Sequence, residues 1–134
     1  MKQATSYFLV LLLAVLWQGC SSTKPTTTPT VQNQSILGSW EGCDGRIVAF
    51  SEGEGDEIIG RYTELGRLGM YKFTQNEIGY KVTEQKPGIY SGTVKWRTTT
   101  GKESWKKLTI TIQNNDFMSD NGSDKCSQEM ERVQ

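Results

Sequence analysis

Turn formers interrupt residues 35–134 so often that a helix of ordinary length has no room between them. Asp44-Gly45, the glycines at 53 and 55, Gly66, Asn76, Pro87-Gly88, Gly101, Asn114-Asn115 and Asn121-Gly122 all favour chain reversal. No segment between them keeps a helical period for three turns, so helices are brief at most. The intervening runs instead read as strands, at 36–40, 46–51, 57–65, 69–74, 77–83, 89–99, 103–113, 116–119 and 125–133. Many short strands spaced by about 8–12 residues imply an all-β sandwich or barrel.

Alternation supports the strand reading. Ile78, Tyr80 and Val82 share one face, opposite Lys81 and Thr83. Tyr90, Gly92, Val94 and Trp96 share another, opposite Lys95 and Arg97. Leu108, Ile110 and Ile112 face away from Thr109 and Thr111, as the two-residue period of a strand requires. Trp105 is out of phase with that trio. A bulge near Lys106-Lys107 re-phases it, or its ring lies on the outer face. Strands joined in sequence favour an antiparallel up-and-down meander of about eight strands. Closing it into a small barrel removes the exposed edges.

Composition narrows the chemistry. The 134 residues contain no histidine, which removes the commonest general base and zinc ligand. Serine–histidine and cysteine–histidine catalysis are excluded with it. From Cys20 onward there are 14 basic and 15 acidic residues, a balance unlike that of a nucleic-acid binder. No catalytic residue, metal or cofactor is expected. The acidic stretch Glu52, Glu54, Asp56 and Glu57 reads as a hairpin tip, and Asp120-Asn-Gly-Ser-Asp124 as a turn. Neither has the ligand order of a calcium loop. Glu41 and Asp44 have no further support as an acid pair for glycoside cleavage. Lys95, Arg97, Lys102, Lys106 and Lys107 gather on one hairpin as a basic patch.

Ahead of the domain, residues 1–7 carry Lys2, and 8–17 (FLVLLLAVLW) form an apolar run of ten. That run is too short to span a bilayer, which takes roughly 20 apolar residues. It has the form of a signal peptide over 1–19. Gly19-Cys20 followed by Ser21 and Ser22 resembles the lipobox of bacterial lipoproteins, departing from it at Trp17 and Gln18. The resemblance implies acylation of Cys20, a membrane as partner, and an outer-membrane address, since serine rather than aspartate follows the cysteine. Residues 20–34, rich in threonine and proline, lack the apolar surface to fold and read as a flexible tether to the domain at 35–134.

Gly38-Ser39-Trp40 opens the first strand and Arg132 lies in the last. This resembles lipocalins and their relatives, in which an arginine near the end packs on the tryptophan of an opening Gly-x-Trp. The likeness implies a lipocalin-like barrel closed by Trp40 and Arg132. In such a barrel the first and last strands are neighbours. With Cys20 acylated, Cys43 and Cys126 form an even pair suited to a disulfide in an oxidising compartment. Tyr62, Tyr80, Tyr90 and Trp96 are the candidate pocket residues, since each combines an apolar body with a polar handle. The implied function is a non-enzymatic binding module for a small apolar or amphipathic ligand. Two alternatives stand beside it: a structural envelope lipoprotein, and an inhibitor of a cell-wall-degrading enzyme. Gly42-Cys-Asp-Gly-Arg-Ile-Val-Ala-Phe50 resembles the early strands of membrane-bound lysozyme inhibitors. Their inhibitory serine–glycine–x–x–tyrosine loop is missing, since Ser91-Gly92 is followed by Thr93, Val94 and Lys95.

Overall fold

A computed structural model describes residues 34–134; the expected signal peptide, Cys20 and nearly all of the expected tether lie outside the described residues. Eight strands follow in order: β1 (Gly38–Glu41), β2 (Arg46–Glu52), β3 (Glu57–Leu65), β4 (Ile78–Lys86), β5 (Ile89–Arg97), β6 (Glu103–Ile112), β7 (Phe117–Asp120) and β8 (Glu129–Arg132). Each is antiparallel to the next, and β8 returns to β1 through Trp40↔Arg132 and Glu41↔Glu131. The sheet is thus a closed, lipocalin-like barrel without a free edge.

The expected alternation decides which side chains fill it. Tyr80 and Val82 of β4, Tyr90 and Val94 of β5, and Leu108, Ile110 and Ile112 of β6 all point inward and are buried. They meet Trp40, Val48, Phe50, Met118 and Met130 from the other strands. Phe50, Tyr80, Tyr62 and Phe73 form a chain of tilted and edge-on rings, with centroids 5.3–6.0 Å apart. Such offset contacts add to the burial of large apolar surface. The interior at this level is packed side chain rather than an open calyx.

The ladder between β5 and β6 runs without a register shift, Lys95 standing opposite Trp105. Trp105 therefore lies on the outer face, 39% exposed, and no bulge re-phases it. Bulges fall instead at Ile47/Val48, Gly60/Arg61 and between Glu84 and Lys86.

Two expectations need correction. Residues 69–74 are not a strand. Gly66–Tyr71 winds into a 3-10 helix, ended by Lys72 in the left-handed region at φ 62°. Gly66 starts it at φ +51°, with the Arg46 amide and Asp44 carbonyl 2.7 Å from where a Cβ would stand, so only glycine fits this reversal. Residues 125–133 likewise divide. Asp124 caps a short helix, α1 (Lys125–Gln128), by accepting a hydrogen bond from the Cys126 amide, and β8 begins only after it.

The first and last strands, with the segment just before β1, meet at one end of the barrel. The Arg132 guanidinium lies 4.1 Å from the centroid of the Trp40 ring. Its nitrogens donate to the carbonyls of Asn115 at 2.5 Å, Leu37 at 2.8 Å and Ser35 at 2.8 Å. Trp40 Nε1 donates to the Ile36 carbonyl at 2.7 Å. At the opposite end, Cys43 in the β1–β2 turn is disulfide-bonded to Cys126 in α1, with Cα atoms 4.7 Å apart.

Candidate functional site

The disulfide-bearing end of the barrel is roofed by the 3-10 helix and the segment after it. Leu68 and Phe73 tuck into the core from this roof. The Phe73 amide donates to the Leu68 carbonyl, and the Asn76 amide to that of Tyr62 at 2.7 Å, tying the roof to β3. Between roof and wall a cavity of about 120 Å³ remains. Tyr62, Leu68, Tyr71, Phe73, Val94 and Trp96 supply its apolar lining, Lys95 and Arg97 stand at its rim, and Arg46, Ser123 and Asp124 are its remaining polar lining. Trp96 is fixed by donating from Nε1 to the Gly122 carbonyl at 3.0 Å. Lys106 Nζ sits 3.6 Å from the centroid of its ring.

The cations at the rim are paired. Arg97 stacks on Phe73, 4.6 Å from its centroid, and donates to the Lys72 carbonyl at 2.8 Å and to Glu103 at 2.6 Å. It also donates to both carboxylate oxygens of Glu77. Lys95 Nζ meets Glu77 at 3.0 Å. Burial acts to raise the Glu77 carboxyl. Hydrogen bonds from Arg97, the Thr74 amide and Lys95 outweigh it and hold the pKa at about 2. The Arg97 guanidinium is raised by its bonds to Glu77 and Glu103.

Beneath the cavity lies a second polar network. Arg46 is buried at the start of β2 and donates to Asp44 at 2.7 and 2.8 Å, to Asp124 at 2.8 Å and to Ser127 at 3.1 Å. Burial acts to raise Asp44, but the bonds from Arg46 and the Arg67 amide bring it down to about 2. Asp120, by contrast, is raised by burial although Ser123 and the Gly122 amide donate to it. Burial and the nearby Asp120 also push the Tyr80 phenol up to about 12. These groups satisfy one another, as buried charges must, and they fasten β2, β7 and α1 beside the disulfide.

The structure disperses the four candidate pocket tyrosines and tryptophans. Tyr62 and Trp96 line the cavity. Tyr80 packs in the interior below it, its hydroxyl 3.2 Å from Ser123 Oγ. Tyr90 lies at the other end, where its hydroxyl accepts from the Ile36 amide at 3.1 Å. Leu68 and Arg46 also line the cavity and carry no mark in the sequence, whereas Val94 is placed beside Trp96 by the alternation of its strand. Of the basic hairpin residues, Lys95 and Arg97 are neutralised by Glu77 and Glu103. The acidic stretch closes the β2–β3 hairpin, where the Gly53 amide bonds the Glu57 carbonyl at 2.7 Å. Ser91-Gly92 lies inside β5, where the Lys81 carbonyl leaves no room for a Cβ at Gly92; it forms no protruding loop. Two larger depressions on the outside of the barrel are broad grooves with mostly polar walls. Among the described residues, no helix is long and apolar enough to cross a membrane. No protein-family model, no curated protein and no solved structure matches the chain.

Proposed function

We propose that this chain is an envelope lipoprotein, anchored through Cys20, whose barrel is a non-enzymatic binding module for one small apolar group. The observation that carries this reading is the cavity of about 120 Å³ between Phe73, Trp96, Val94 and Leu68. A cavity of roughly 150 Å³ holds benzene, so this one suits a single ring or a tip of about five carbons. The packed interior beneath it leaves no room for a long acyl chain. Lys95 and Arg97 at the rim are already paired with Glu77 and Glu103, so the rim suits a ligand whose other end is polar and uncharged.

Phenol is a suitable probe. Titrated into the protein at millimolar concentration, it is expected to shift the amide resonances of Leu68, Phe73, Val94 and Trp96. Those of Ile36 and Tyr90, at the far end, should stay in place. Shifts scattered evenly over the barrel, or none at all, contradict the proposal.

A further inference from the structure

We propose that the outer wall formed by β4, β5 and β6 is a docking surface for a bilayer carrying anionic headgroups. Its centre is Trp105, one of two large strand aromatics, with Phe117 of β7, that lie outside the core. Lys95 Nζ and Lys81 Nζ lie 5.1 and 5.7 Å from the centroid of its ring. Lys107 is two residues further along β6, on the same face. Register places Ile59, Lys81, Thr93 and Lys107 side by side across β3 to β6. Glu57, Thr83, Ser91 and Thr109 form the adjacent row, with the Glu57 carboxylate at its β3 edge, outside the three-strand wall.

Charge favours this wall over the rest of the barrel. Its outward carboxylate, Glu103, and the neighbouring Glu77 are occupied by Lys95 and Arg97. Lys81 and Lys107 make no ion pair among the described residues. The opposite arc is acidic: exposed Glu41 and Glu131 stand directly opposite each other on β1 and β8, with Glu129 nearby. An anionic sheet of headgroups thus attracts one wall and repels the other. An indole ringed by lysines suits the boundary between headgroups and acyl chains, where the ring is half-buried and the ammonium groups reach phosphates.

The position of Gln34 agrees. The Tyr90 hydroxyl donates to the Gln34 carbonyl at 3.2 Å, and the Gln34 side chain lies against Gly88. Gln34, the first described residue, thus lies beside the β4–β5 turn, at the edge of this wall. The inference rests on the anchor reading only for bringing a bilayer within reach.

The test is lysine acetylation of the full chain reconstituted into vesicles, read residue by residue by mass spectrometry. One set of vesicles is phosphatidylcholine alone and the other contains phosphatidylglycerol. The expected result is that Lys81 and Lys107 react about fivefold more slowly in the anionic vesicles. High salt should abolish the difference, and Lys125 in α1 should show none. Equal reactivity of Lys81 and Lys107 in the two vesicle types overturns the proposal. Equal protection by soluble polyaspartate in detergent also overturns it, in favour of an acidic protein partner. Failure to float with neutral vesicles counts against the anchor alone, since protection in anionic vesicles still supports the docking wall. Failure to associate with either vesicle overturns both.

Discussion

Arg132 does three jobs with one side chain. It covers the Trp40 ring, bonds the carbonyls of Leu37 and Ser35 in the entering chain, and bonds Asn115 before β7. Arg132→Ala is therefore expected to lower stability by about 2–4 kcal/mol in urea unfolding, from the lost stacking and the carbonyls left without donors. Arg132→Lys should recover less than half of that, because an ammonium cannot present the same fork. A loss below 0.5 kcal/mol for Arg132→Ala, about the effect of an ordinary surface change, contradicts the latch. Glu77 and Asp44 give a pH dependence. Both titrate at about 2 in the folded protein, against ordinary values of 4.5 and 3.8. A carboxyl depressed by folding contributes stability above its ordinary pKa and loses it as pH falls towards the folded value. Thermal midpoints are thus expected to fall from about pH 4.5 down to about 2. Glu77→Gln should flatten part of that slope while lowering the midpoint at neutral pH. An unchanged slope contradicts the role given to the Glu77 cluster.

At the scale of elements, the disulfide ties the β1–β2 turn to α1 across 83 residues of sequence. Chain-entropy reasoning gives such a closure about 4.5 kcal/mol. The double variant Cys43→Ala, Cys126→Ala is expected to unfold at correspondingly lower urea. Unchanged stability contradicts the contribution assigned to the covalent tie. Gly66→Ala is expected to cost about 1–3 kcal/mol, because its φ of +51° and the backbone beside it exclude a side chain. What sequence alone made legible follows the same division. Strands β4 to β6 show themselves by strict alternation, and the pairing of chain ends by Trp40, Arg132 and the cysteine pair. The roof does not. Tyr71, Phe73 and Thr74 are strand formers, and only the reversal forced at Gly66 draws Tyr71 into a 3-10 helix and leaves Phe73 and Thr74 in the irregular segment after it. The start of the 125–133 run is hidden for a similar reason, since Asp124 caps a helical turn there. The cavity was half visible. Tyr62 and Trp96 are marked by their chemistry and Val94 by the alternation of its strand, but Leu68 joins them only through the roof. The pairing of Lys95 and Arg97 with Glu77 depends on contacts 18 and 20 residues apart that no local pattern shows.

Across the whole molecule, the barrel is closed and mostly solid, and its two ends differ. One end holds the Trp40–Arg132 latch; the other holds the disulfide, the buried Arg46 network and the roofed cavity. Filling should thus limit the ligand more than polarity does. The most direct measurement is the affinity of a homologous series of straight-chain alcohols, from propanol to decanol, by calorimetry or by the shifts of Trp96 and Val94. Each methylene that enters an apolar site is worth about 0.8 kcal/mol, close to fourfold in affinity. Affinity is expected to rise by about that factor up to roughly five carbons and then level off, as a cavity of this size requires. A rise that continues to decanol means a calyx that opens, and no binding at any length means a cavity without a ligand; either result contradicts the account.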